Sequence, residues 1–379
     1  MSDTPHFPRL QALIEAAASR HPAADGHPAA GSHPERSEGS PSSEAPRSLA
    51  ALGMTKAPST AVGAALGMTR APSTAADMAY PSAALGMTTA PLTAVGMVYP
   101  CDALALNAAQ MITARGIARP VLIGPRDAIA RAGDAAQVDW RAFEHIDTAA
   151  DPKDAAHVAA AHAHEGAVAA LMKGSLHTDE LMGAVVAREA GLRTDKRITH
   201  AFVFDLPRYH KLLALADCVV NIAPRLDVKR DIIANALTLL RALGVTRPKV
   251  GIVAAVETVN PHIPATLDAQ TLRGEDWGDA IVEGPFGFDN AISAEAARIK
   301  GLDSRVAGDP DLLLLPDLNA ANMLYKSFIY IGGGECAGLV LGARVPVVLT
   351  SRADSVLARL ASVALAVLVT RHAESCRAM

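Results

Sequence analysis

Two short stretches of this chain carry side chains in an order suited to anion chemistry. The first is Thr350-Ser351-Arg352, with Asp354 three residues beyond the serine. It follows the apolar run 345–349, so hydroxyls and a guanidinium stand where a buried strand hands over to a helix. Such groups, together with the unpaired N–H groups of a helix start, make a good anion site. The same Ser-x-x-Asp spacing is also that of a capping box, in which Asp354 only closes the first turn. Spacing alone leaves both readings standing. The second stretch is Lys173-Gly174-Ser175-Leu176-His177-Thr178, an apolar strand running into a glycine and hydroxyls before Asp179-Glu180 opens a helix. Gly174 permits close backbone approach and Lys173 supplies charge. His177 reads equally as a capping or surface histidine and as a substrate contact. A third group, Asn319, Asn322 and Lys326, begins just after the apolar run 312–315 and Pro316. Asn322 and Lys326 are four apart and share a helix face. A polar helix edge would look the same, but a helix that starts at a buried strand end points to a cleft.

These residues need strands and helices to hold them, and the sequence alternates between the two. Strand patterns fall at 93–99, 119–124, 167–172, 201–205, 218–222, 249–255, 280–282, 312–315 and 345–349. Helical patterns fall between several of them, at 103–115, 155–165, 180–190, 229–243 and 323–331. Repeated strand-then-helix order predicts an α/β fold with parallel or mostly parallel sheets. Phe7, Leu10, Leu13, Ile14 and Ala17 lie at helical spacing, which predicts a docking helix within residues 1–20. Residues 21–91 differ in character. Their first part is rich in Pro, Gly, Ser and His, and Ala51-Leu-Gly-Met-Thr then returns at Ala65 and Ala84 with unequal spacing. Solenoid repeats need a fixed period, so this stretch reads as a disordered insert of low functional content.

The chain's 379 residues suffice for two domains. A net charge of −4 without a basic cluster argues against a nucleic-acid partner. No apolar run approaches the roughly 18–20 residues of a membrane span. Residues 1–20 contain no apolar signal core, so the protein is expected in the cytoplasm. Cys101, Cys218, Cys336 and Cys376 show neither CxxC pairing nor metal spacing, as expected of reduced thiols. Cys101 and Cys336 read as small buried hydrophobes. Gly332-Gly333-Gly334 is not a dinucleotide fingerprint, and no metal-ligand cluster is visible.

Several motifs, taken in order, resemble the phosphate acetyltransferase/phosphate butyryltransferase family. They are Val98-Tyr-Pro-Cys-Asp-Ala103, Leu171-Met-Lys-Gly-Ser-Leu-His-Thr178, Glu283-Gly-Pro-Phe-Gly-Phe-Asp-Asn-Ala-Ile-Ser293, and the segments 308–326 and 342–355. The resemblance runs from about residue 92 to the end. It implies two α/β domains flanking a cleft, as in the isocitrate/isopropylmalate dehydrogenase fold. The first domain would comprise 92–193 with 338–379 and the second 194–337. It also implies a homodimer that moves an acyl group between coenzyme A and inorganic phosphate, with coenzyme A as substrate and no cofactor or metal. By the same resemblance Ser351 donates to a developing oxyanion or to phosphate, and Arg352 holds the phosphate. Lys173, Gly174, Ser175, His177 and Thr178 form a second anion site, and Asn319, Asn322 and Lys326 belong to an Asn-x-x-Tyr-Lys segment facing the cleft. Asp289 and Asn290 are weaker candidates in the second domain's wall.

The chain departs from the pattern at three places. Acetyltransferases often place an aspartate seven residues after the serine, where Ala358 stands here, and Asp354 then becomes the candidate that supports the thiol or orients Arg352. Ala321 stands where glycine is common, and Met182 and its neighbours are uncharged where an arginine is frequent. Ser-Arg-Ala-Asp-Ser is more like the butyryltransferase side. That likeness weighs against acetyl, but the expected activity is still phosphate acetyltransferase, with butyryl or another short acyl chain as the alternative. A non-catalytic coenzyme A-binding protein and a dehydrogenase on the same fold are more distant rivals.

Overall fold

The computed structural model describes residues 7–19, 91–351 and 353–378, all within one compact unit. The insert expected at 21–91 and the catalytic candidate Arg352 lie outside the described residues, apart from Pro91. In chain order the strands are β1 Ala94–Val98, β2 Arg119–Gly124, β3 Glu144–Asp147, β4 Ala170–Lys173, β5 Thr199–Asp205, β6 Leu213–Ala216, β7 Lys249–Val253, β8 Ile281–Phe286, β9 Leu312–Leu314, β10 Glu335–Leu341 and β11 Val347–Val348. The helices are α1 Pro8–Ala18, α2 Ala103–Ala114, α3 Arg126–Ala136, α4 Pro152–His164, α5 Thr178–Val186, α6 Leu226–Ala242, α7 Pro264–Leu272, α8 Phe288–Ile292, α9 Ala294–Ile299, α10 Leu318–Tyr330 and α11 Val356–Ala378.

All the strands join one sheet in the order β3-β2-β1-β4-β11-β10-β5-β6-β9-β7-β8. The α/β, mostly parallel architecture expected from strand-then-helix alternation is what the chain adopts. One parallel block is β3-β2-β1-β4-β11 and the other is β6-β9-β7-β8. Between them β10 runs antiparallel to both β11 and β5, and β5 runs antiparallel to β6. The two blocks therefore point in opposite directions. The carboxyl ends of β1, β4, β11 and β5 share one edge of the sheet with the amino end of β10. The carboxyl ends of β6, β9, β7 and β8 lie on the opposite edge.

Besides β3, which the sequence reading did not anticipate, three details depart from it. Residues 218–222 are a turn rather than a strand, and the strand lies just before them at β6. The Asp217 carboxylate accepts the N–H groups of Val219 (2.9 Å) and Val220 (3.0 Å). This local side-chain turn overrides the β-preference of two adjacent valines. Strand β10 was not anticipated, because its Glu-Cys-Ala-Gly start follows three glycines and resembles a loop. Finally, α11 is long and apolar enough, by length and composition alone, to cross a membrane. Its residues 358–367 are nonetheless buried without interruption, packed among α1, α2, α6 and β10. It is the central core helix.

The N-terminal helix α1 docks as its spacing predicts, burying Leu10, Leu13, Ile14 and Ala17. The Asp205 carboxylate at the end of β5 fixes it by accepting from Arg9 N (2.8 Å), Leu10 N (3.3 Å) and Arg9 Nη1 (2.7 Å). One carboxylate thus satisfies two amides of the first turn and pairs with a guanidinium.

Between the blocks, His200 on β5 is fully buried, and its Nδ1 has no hydrogen-bond partner. Burial pushes its pKa down from 6.5 to about 4, against the opposing pull of Asp217. The unfolded chain takes up a proton below pH 6.5 that the folded chain refuses until about pH 4, so stability is lost as pH falls through that window. Denaturant midpoints should decline between those pH values in the wild type. The decline should be shallower in His200→Leu, whose core carries no titrating ring.

Candidate active site

The two anion-suited stretches meet. The carboxyl ends of β4 and β11 lie side by side, since Leu171 pairs with Val347 and Met172 with Val348. Just beyond those ends is a cavity of about 250 Å³. Its wall includes Lys173, Gly174, Ser175, Leu176, His177 and Thr178 from the first stretch, and Thr350 and Ser351 from the second. Met172 at the end of β4, Asp102, Leu104 and Ala105 at the start of α2, and Arg359 on α11 complete the lining. This is the crest where parallel α/β sheets collect ligands.

The Gly174 loop is pinned to the end of β1. Gly174 N donates to Val98 O and Ser175 N to Tyr99 O, both at 2.9 Å. The Ser175 hydroxyl donates to Tyr99 O (2.8 Å) and accepts from Cys101 N (3.0 Å). Its hydrogen-bonding capacity is thus largely spent on the loop itself. A Cβ on Gly174 would lie 2.5 Å from Tyr99 O and 2.6 Å from Val98 O. The glycine is there so that two backbones can touch, and that contact sets the loop's position. Lys173 Nζ donates to the carbonyls of Gly174 (3.2 Å) and Leu176 (3.1 Å), holding its charge against the loop. His177 N donates to Glu180 Oε2 (2.8 Å), closing the first turn of α5. The His177 and Thr178 side chains are exposed at the rim.

The Ser351 loop is built differently from the helix start that its spacing suggests. Helix α11 begins at Val356, and Ser355 Oγ accepts from Ala358 N at 3.0 Å, the bond a capping serine makes. Ser351, Ala353 and Asp354 are hydrogen-bonded to one another ahead of it. There Asp354 Oδ2 accepts from Ser351 N (2.6 Å), and Asp354 N donates to Ser351 O (3.2 Å). Ser351 Oγ accepts from Ala353 N (3.3 Å), leaving its own O–H to donate elsewhere. Thr350 Oγ1 donates to Lys173 O (3.3 Å) and ties the two loops together. Asp354 is half-buried. Burial pushes its carboxyl up, the N–H of Ser351, Arg359 and Lys173 act the other way, and Glu335 adds to the rise. Ala358, at the position where an aspartate was considered, is buried in the core.

Asn319, Asn322 and Lys326 do not line the cavity. They sit on α10, which starts after β9 and hence from the opposite edge of the sheet. Asn322 Nδ2 donates to Cys218 O (3.3 Å) and holds the turn after β6. The β5–β6 reversal puts the start of α10 at that edge, while Tyr325, in the second half of the helix, is near enough to Asp354 to feel its charge. Asp289 pairs with Lys300 (3.2 Å), while Asn290 is buried with both amide atoms unpartnered. Neither belongs to the cavity. Cys101, beside the cavity, is no nucleophile, since burial pushes its thiol up to about 12. Among the described residues no group of three or more His, Cys, Asp or Glu side chains is placed to hold a metal ion.

Sequence reasoning overlooked Arg359. Its signal was present, because it is the only charged residue between Val356 and Val369. An arginine alone in an apolar helix demands a partner. Its Nη2 donates to Ser351 O at 2.6 Å. The cavity can therefore hold a small polyanion against Lys173, Arg359, the first turn of α5 and the Ser351 hydroxyl.

Residues 151–367 match the model of the family described as Phosphate acetyl/butaryl transferase. The phosphate acetyltransferase of Rhizobium meliloti is 48% identical over 262 residues, covering 67% of this chain and 81% of that protein. The phosphate butyryltransferase of Clostridium beijerinckii is 38% identical over 267 residues, covering 69% of this chain and 88% of its own length. Among solved structures, a branched-chain phosphotransacylase from Enterococcus faecalis V583 superposes with a TM-score of 0.66 at 26% identity, covering 74% of this chain and 99% of that one.

Proposed function

The chain belongs to the phosphate acetyl/butyryl transferase family, and from that premise we propose that it moves an acetyl group between coenzyme A and inorganic phosphate. The observation that carries this reading is the meeting of Ser351 with the Lys173–Thr178 loop around one cavity at the carboxyl ends of β4 and β11. The acetyl preference rests on the 48% identity to a phosphate acetyltransferase against 38% to a phosphate butyryltransferase.

In the thiol-consuming direction the coenzyme A thiolate attacks the carbonyl carbon of acetyl phosphate. The C–S bond forms, the carbonyl oxygen takes up negative charge, and the C–O bond to phosphate breaks as phosphate leaves. In this reading the Ser351 O–H donates to that developing charge. Lys173 and the amides opening α5 face the phosphate, and Thr178 and His177 form the rim over which it enters. Gly174 and Ser175 act by holding the loop to β1. Arg352 is the further cation assigned to phosphate. Asp354, raised by burial and bonded to Ser351 N, takes the thiol proton or orients the Ser351 turn. Asn319, Asn322 and Lys326 would contact the substrate only beyond the cavity, toward the bulk of coenzyme A. The reading includes coenzyme A as a substrate with no resident cofactor or metal, two α/β domains with a cleft between them, a homodimer and a cytoplasmic location.

The test is free-thiol release by the purified full chain given phosphate with either acetyl-CoA or butyryl-CoA. Phosphate-dependent release should fall about 100-fold or more in Ser351→Ala, the loss of one oxyanion donor. The ratio of the two esters settles the acyl preference. A folded wild type that releases thiol from neither ester sinks the transferase reading and leaves a coenzyme A-binding protein.

A further inference from the structure

We infer that Arg359 holds the inorganic phosphate, and the phosphoryl end of acetyl phosphate, in the cavity; the inference rests on the transferase reading above. It starts from an imbalance. Arg359 is only 9% exposed and lines the cavity. A guanidinium carries five N–H donors. A single hydrogen bond engages it among the described residues, from Nη2 to Ser351 O at 2.6 Å. No carboxylate among those residues lies within the 4.0 Å of a salt bridge. Asp354 is near enough to feel its charge but does not pair with it, since its Oδ2 bonds to Ser351 N. A buried cation with no acidic partner is costly, and it persists where an anionic ligand completes it.

The shape of the site says what kind of ligand. The guanidinium lines a cavity that also carries Lys173 and the first turn of α5, while the one carboxylate in the lining, Asp102, accepts from Ala105 N (2.8 Å) to cap α2. A planar fork of donors matches two oxygens of a phosphate. Position on α11 makes the geometry rigid. Arg359 N donates to Ser355 O in the first turn, and Ala358 and Leu360 on either side are core residues. The same side chain also grips the carbonyl of Ser351, so bound phosphate and the Ser351 hydroxyl are held in one fixed relation.

The test uses the full chain with Arg359→Met and Arg359→Lys. Binding of inorganic phosphate alone, followed by calorimetry, should weaken about 10- to 100-fold in Arg359→Met, the loss expected for a charge-assisted contact. The KM for phosphate should rise by a similar factor while the KM for coenzyme A stays within about twofold. Arg359→Lys keeps the buried charge but not the fork, and should recover part of the loss. Unchanged phosphate affinity in Arg359→Met overturns the inference. So does a loss of coenzyme A affinity with phosphate binding intact, which would place the phosphates of coenzyme A at Arg359 instead. If Arg359→Met does not fold, the phosphate KM of Arg359→Lys decides alone, and an unchanged value overturns the assignment. The two readings fail separately. Phosphate binding that depends on Arg359 without thiol release would sink acyl transfer and keep this site. Thiol release with an unchanged phosphate KM in the variants would do the reverse.

Discussion

Gly174→Ala is expected to remove most turnover and lower thermal stability together. The added methyl would meet the carbonyl oxygens of Tyr99 and Val98 at 2.5 and 2.6 Å. Both are backbone atoms at the end of a central strand, with no rotamer to yield. Relief must come from the loop, which would have to leave its hydrogen bonds to β1. Overpacking of this kind costs roughly 1–3 kcal/mol. The same shift moves Lys173, Ser175 and the start of α5 relative to Ser351, and a displacement near 1 Å can cost about 100-fold in rate. Thiol release and thermal unfolding on one sample check both halves. A variant that melts early but turns over at the wild-type rate would show that the loop's position does not matter to chemistry.

Asp354→Asn separates two roles that one carboxylate now combines. An asparagine keeps the oxygen that accepts from Ser351 N at 2.6 Å, so the turn should close as before. What disappears is the negative charge and the ability to take a proton. Turnover should therefore fall on the order of 100-fold, the lower range for a general base, while the melting temperature barely moves. The pH profile adds a second readout. Burial raises the Asp354 carboxyl above the ordinary range. A base must be ionised, so the wild-type rate should fall, as pH drops, at a higher pH than an exposed aspartate near 3.9 would give. That acidic limb should be absent in Asp354→Asn. An asparagine variant as active as wild type but less stable would leave the residue a turn-closing role only.

Much of this arrangement is legible in the residues themselves. Leu312–Leu314 and the valines of β11 read as buried strands because each is a short run of apolar side chains with polar turns around it. The approach of Lys173–Thr178 to Ser351 follows once both stretches are placed at carboxyl ends of parallel strands. What the sequence hides is direction. Nothing local in Thr199–Asp205 or Leu213–Ala216 says that these two strands run antiparallel, and that reversal puts the carboxyl end of β9, and so the start of α10, at the other edge. Asn322 and Lys326 share a helix face as their spacing requires, yet no local pattern fixes which edge of the sheet that helix starts from. Arg359 illustrates the opposite case. Its isolation among apolar residues was visible, but its partner is a backbone carbonyl, which carries no side-chain signature. Asp354 was readable as a cap and does close a turn, one turn ahead of the helix that spacing assigned to it.

The sheet order has a consequence for how the chain comes into being. Strands β4 and β5 are neighbours in sequence, but β11 and β10 lie between them in the finished sheet. Until residue 348 has emerged from the ribosome, β4 and β5 each present a row of unpaired amides and carbonyls. Most of the polypeptide must therefore wait, open along its middle, for the residues from Glu335 onward to arrive and fill the gap. Such long-range closure is slow and exposed to misassociation during synthesis. A nascent chain stalled before β10 would hold two incomplete half-sheets with nothing to join them.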